Sequence, residues 1–114
     1  MTARPKFKYV DSKPLREAYR LIPCQHCGAD DGTVCCAHSN WSVHGKGGRI
    51  KASDVYAASL CSICHFQLDQ GFLWSDEQKL EIWTAAHKKT IPLLVSGGHW
   101  PKGIDVPNFE LERT

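Results

Sequence analysis

Apolar residues return at helical spacing first at Leu15, Ala18, Tyr19 and Ile22, in the run DSKPLREAYRLIP. Asp11 or Ser12 can cap this stretch, Pro14 suits a first turn and Pro23 stops it, which predicts a short amphipathic helix. TVCCAHSNW and VYAASLC are apolar and β-prone and predict two strands. HGKGGRIKASD lies between them, and its three glycines and three cations predict a loop. CSICHFQLDQ then starts a helix that Gly71 can end. SDEQKLEIWTAAHKKTI predicts the longest helix, with Ser75 and Gln78 as a capping box, acids in its first turn and Lys88 and Lys89 in its last. Ile82, Trp83, Ala86 and Ile91 form its expected buried stripe, and Pro92 is expected to bend or restart the chain into LLVSGG. HWPKGIDVPNFELERT has no period and reads as an extended tail that packs through Trp100 or frays. The pattern is that of an α+β fold with no internal repeat.

With 114 residues the chain is one domain whose core needs help from something besides side chains. The expected division is a flexible basic arm over 1–10, a folded domain over 11–95 and the tail over 96–114. MTARPKFKYV lacks an apolar secretory core and no run has the length of a membrane span, so the expectation is a cytoplasmic protein with reduced thiols and no membrane contact. The small net charge hides an asymmetry. Residues 1–51 hold nine Lys and Arg against four Asp and Glu, a balance of +5, and the remainder carries −3. The first half can therefore face an anion, although a basic half can equally be a solvated surface.

Cys24-Gln-His-Cys27 and Cys61-Ser-Ile-Cys64 are two C-x-x-C clips separated by 33 residues. Each presents two thiolates at the bite of a tetrahedral ion, so the pair predicts one structural zinc site of four cysteines that pins the first loop to the central helix. A redox clip is the competing reading, but it needs one clip in a βαβ frame rather than two. Cys35 and Cys36 lie outside the pattern and read as small core residues. His65 follows the second clip directly, and Asp69 lies one helical turn on, so both project from one face as two ligands of a second metal would. Taken alone, the two residues read sooner as a hydrogen-bond donor to the zinc thiolates and a surface acid.

The order C-x-x-C, then Ala37-His38, then LC-x-x-CH with Asp69 beyond resembles the zinc-stapled HNH (ββα-metal) endonucleases, phage endonuclease VII among them. AHSNWSVHGKGGRIKASDVYAASLCSICHFQLDQG is similar to the small nucleases of this type encoded by phages and prophages, over roughly residues 20–95. The resemblance implies a small ββα-metal core and a metal-dependent endonuclease acting on DNA in a bacterial host. It also implies His38 as general base, His65 as ligand of a catalytic Mg²⁺ or Mn²⁺, and Asp69 as a further ligand. Ala37 stands where the family usually has a metal-binding Asp or His, which leaves His38 open to a ligand role. The family's middle Asn has Asn40, Asp54 and Tyr56 near its place, and Asn40 and Asp54 are kept as supporting residues.

His44, Lys46, Arg49 and Lys51, in the loop between the strands, are the candidate contacts to DNA phosphates. His26 reads as exposed filler or as the fourth ligand of a zinc held by three cysteines and one histidine, and His87 and His99 read as structural or surface residues. A non-catalytic zinc module that binds nucleic acid or a protein partner is the alternative to the nuclease. Either a monomer or a homodimer fits.

Overall fold

The structure is a computed structural model that describes residues 9–41 and 52–107. The greater part of the expected basic arm, the loop residues His44, Lys46, Arg49 and Lys51, and the last seven residues of the tail lie outside the described residues.

The described chain forms a compact α+β fold with three α-helices and one two-stranded sheet. Helix α1, Lys13–Ala18, is capped by the Ser12 hydroxyl, which accepts from the Leu15 N–H, and runs into a 3-10 turn over Tyr19–Leu21. Leu15, Ala18 and Tyr19 are buried on the expected stripe, because three- and four-residue spacing puts them on one side. Strands β1, Cys35–His38, and β2, Ala57–Leu60, pair antiparallel with Cys35 opposite Leu60 and His38 opposite Ala57. Both are shorter than the β-prone runs that announced them. Helix α2, Ser62–Asp69, follows β2 directly. Helix α3, Asp76–Ser96, opens with the expected reciprocal bonds between Ser75 and Gln78.

The end of α3 differs from the sequence expectation. The helix continues through Pro92, so Lys88 and Lys89 are not in its last turn. Interior proline costs about 3 kcal/mol, but stopping there would withdraw Leu94 and loosen Ile91, both almost wholly buried. Burial of such side chains is worth about 1.5–3 kcal/mol each, so the continued stripe offsets the proline. The real stop is Gly98. At φ +76 it allows the chain to turn back, with its N–H bonded to Val95 O and the His99 N–H to Leu94 O.

Two apolar clusters flank the ribbon. Ala37, Ala58, Leu60, Leu68, Trp83 and Ala86 join Cys24, Cys61 and Cys64 in one. Leu15, Ala18, Tyr19, Val55, Ala57, Ile91 and Leu94 form the other, against which Trp100 and Ile104 of the tail pack. Val10, at the end of the expected arm, is also tied down: its N–H bonds Ser53 Oγ and its carbonyl accepts from the Asp54 N–H. Helix α3 covers the outer edge of β2. Thr90 Oγ1 accepts from the Ser59 N–H at 3.1 Å, and His87 Nδ1–H donates to Ala57 O at 2.8 Å. His87 is therefore a buried structural residue, stacked on Trp83 with ring centroids 4.8 Å apart. No helix among the described residues is long and apolar enough to cross a membrane.

Candidate functional site

The first centre is built by the two clips. After the 3-10 turn the chain makes a knuckle in which the Cys24 N–H bonds Ala29 O and the Gly28 N–H returns to Cys24 O. Gly28 at φ +82 lets the chain reverse there without strain. The Gln25 N–H bonds Ser59 O of β2, which sets the knuckle beside the end of the ribbon where Cys61 caps α2. The sulfurs of Cys24, Cys27, Cys61 and Cys64 all lie within 4.8 Å of one another, and those of Cys27 and Cys61 are 3.6 Å apart. Four sulfurs at about 2.3 Å from one tetrahedral ion stand about 3.8 Å apart, so the four fit a zinc ion.

The electrostatics agree with that fit. Burial pushes the Cys24 thiol up, but backbone N–H groups of Cys27, Cys61 and His26 outweigh it and bring the group down to about 7. Cys64 is pushed well up by burial and by the neighbouring cysteines. Four thiolates cannot share so small a space without a cation, which is the charge balance a structural zinc supplies. His26 is exposed, set edge-on against Trp74 at 5.2 Å, and lies outside the metal-sized cluster.

Two histidine–carboxylate pairs flank the ribbon on opposite faces, that of His38 on the side of Cys36 and that of His65 on the side of Cys35. His38, the last residue of β1, places Nε2 2.7 Å from Asp54 Oδ1. Asp54 is almost fully buried, and its other oxygen accepts from the Ser12 N–H at 2.6 Å and from Arg16 at 2.7 Å. Burial pushes the Asp54 carboxyl up, yet bonds from His38, Ser12 and Arg16 hold it below the usual carboxylate range. Tyr19 fixes the same residue by donating its hydroxyl to Asp54 O. Cys36 Sγ lies 3.7 Å from His38 Nε2, and these two with Asp54 also form a group small enough for an ion. Arg16 already occupies the far side of the carboxylate, which disfavours a cation there.

The second pair lies along α2. His65 Nε2 is 3.1 Å from Asp69 Oδ2, and Asn40 Nδ2 donates to Asp69 Oδ1 at 2.9 Å. Cys35 Sγ is 3.0 Å from the other ring nitrogen of His65. Asp69 and Cys35 together raise His65 to about 10 against the pull of burial. An ion at this pair would have to displace that proton, because a metal ligand is a neutral imidazole.

Of the residues singled out in the sequence, the structure thus gathers Cys24, Cys27, Cys61 and Cys64 in one cluster, His65, Asp69 and Asn40 in a second, and His38 with Asp54 in a third. Asn40, two residues beyond His38, links the end of β1 to Asp69. Ala37 points into the core and is fully buried, so it offers nothing to a metal. Sequence reasoning missed Arg16 and Cys35. Arg16 had no local signal, since its buried partner lies 38 residues away. Cys35 did have one: alternation along β1 puts it on the opposite side from Cys36, and a strand next to α2 brings it to His65. Neither Cys35 nor Cys36 is a fully buried core residue. Comparison with protein-family models, curated proteins and solved structures finds no match to this chain.

Proposed function

We propose that the protein is a zinc-stapled HNH-type endonuclease that hydrolyses DNA phosphodiester bonds, with His38 as general base and a Mg²⁺ or Mn²⁺ ion held by His65 and Asp69. The observation that carries this reading is that one stretch of chain serves both pairs: His38 at the end of β1 meets Asp54 on one face of the ribbon, and Asn40, two residues on, bonds Asp69 beside His65 on the other. Asp54 takes the Nε2–H of His38 and so leaves Nδ1 with a lone pair to accept a proton from water. Arg16 and Ser12 hold the carboxylate still, and through it the orientation of the imidazole. When bound, the ion supplies charge stabilisation for the phosphate and the leaving oxygen. His65 and Asp69 offer it a nitrogen and an oxygen, a mixed set that suits Mn²⁺ as well as Mg²⁺.

The test is cleavage of supercoiled plasmid by zinc-loaded protein with and without added Mg²⁺ or Mn²⁺. His38→Ala and His65→Ala should each fall by about 10²–10⁴ in rate, with zinc content unchanged. A His65→Ala protein that cuts like the parent would sink the proposal.

A second reading is favoured by the same Asp54 cluster. Arg16, Ser12 and Tyr19 all meet Asp54, so His38 can serve simply to tie β1 to the α1 side of the fold, in a non-catalytic zinc module that binds nucleic acid or a protein partner. That module would cut no plasmid with either ion, and His38→Ala would lower its melting temperature.

A further inference from the structure

We propose that Cys35 is a positioning residue for the divalent ion at His65 and Asp69, an inference that rests on the metal reading of that pair. Strand β1 supports both ligands from behind. Cys35 at its start meets His65, and Asn40 just past its end meets Asp69, so the two side chains of α2 are each held by a group from the same stretch of chain.

The thiol can play this part because of its other contact. Cys35 Sγ lies 3.5 Å from Leu60 O, so its S–H donates to that carbonyl and its sulfur lone pairs are left to accept the His65 Nδ1–H at 3.0 Å. In the metal-free pair Nε2–H donates to Asp69 Oδ2 at 3.1 Å, and once an ion displaced that proton the remaining one would stay fixed on Nδ1, so that Nε2 would offer its lone pair. Two neighbouring ligands on an octahedral ion at about 2.1 Å stand about 3 Å apart, so the pair has the right bite. Metal-binding histidines are commonly oriented by a hydrogen bond at the far nitrogen, and loss of that partner costs about 10–100-fold in metal affinity. Here a thiol takes the place usually held by a carboxylate or carbonyl.

The experiment measures Mn²⁺ binding to zinc-loaded protein by the electron paramagnetic resonance signal of free Mn²⁺, for the parent, Cys35→Ala, Cys35→Ser and His65→Ala. Cys35→Ala should bind Mn²⁺ about 10–100-fold more weakly, with zinc content and melting temperature near the parent. Cys35→Ser should recover part of the loss, since a hydroxyl also donates and accepts, and His65→Ala should remove the site. A companion measurement without Mn²⁺ follows the His65 Nδ1–H proton in a ¹⁵N-labelled sample: protected from exchange in the parent, it should be lost in Cys35→Ala. If Cys35→Ala binds Mn²⁺ like the parent while His65→Ala does not, the positioning role is wrong and the metal site stands. If the parent takes up no Mn²⁺, the metal reading fails and the role of Cys35 fails with it, whatever the proton signal shows.

Discussion

The cysteine cluster and the histidine–carboxylate pairs are built on different plans. At the knuckle end, four sulfurs converge with backbone N–H groups aimed at them, and Cys24, Cys61 and Cys64 are buried. On the two faces of the ribbon, histidines and carboxylates meet in pairs, and His38, His65 and Asp69 keep some contact with solvent. A closed set of four ligands holds an ion and excludes chemistry, while an open pair leaves positions for water or substrate. The two differ both in residue type and in how many donors the chain brings to one point.

The largest effect expected from this contrast is on zinc removal. Structural zinc in small domains contributes about 10–16 kcal/mol of binding energy that is also folding energy, so Cys61→Ser should unfold the chain or leave it without a cooperative melt. Circular dichroism with parallel zinc analysis checks this, and a Cys61→Ser protein as stable as the parent would erase the distinction between the cluster and the pairs.

Next comes Asp54→Asn, which removes a buried charge held by three donors and should cost about 3 kcal/mol. The pH dependence has a definite sign. Because the folded carboxyl is held below its usual value, its stabilisation is complete above the unfolded value of about 3.9 and is lost as pH falls through the folded value. Acid melts of the parent should therefore weaken below about pH 4, and Asp54→Asn should flatten that slope. An equal slope in both proteins would show that Asp54 is not the group responsible.

A smaller change is expected at the sheet edge. Thr90→Val keeps the shape but leaves the Ser59 N–H without its acceptor, at a cost of about 1–3 kcal/mol in chemical denaturation. The smallest belongs to His65→Ala, whose partly exposed pair with Asp69 should be worth under about 1 kcal/mol to the fold. A large loss there would make His65 a structural partner of the cysteine cluster instead.

Legibility followed the range of the interaction. The clips at Cys24 and Cys61, the Ser75–Gln78 box and the stripe from Leu15 to Tyr19 are local patterns, and each is present in the structure. Pro92 misled because a local rule was weighed without the burial of Ile91 and Leu94, although Gly97 and Gly98 marked the true stop. The Asp54 cluster depends on Ser12, Arg16 and His38, brought from 42, 38 and 16 residues away, and no spacing rule reaches that far. The nearness of Cys35 to His65 needed the face of β1 to be known, which register alone decides.

The covering of β2 has a consequence for how this chain can meet other chains. An exposed strand edge is a template onto which a peptide or a second copy adds by backbone pairing. Here the outer groups of Ala57 and Ser59 are already taken by His87, Thr90 and Gln25, so strand addition at β2 would have to displace both a helix and the cysteine knuckle. The ribbon is thus protected from amyloid-like growth along that side without the edge lysines or prolines that many sheets use.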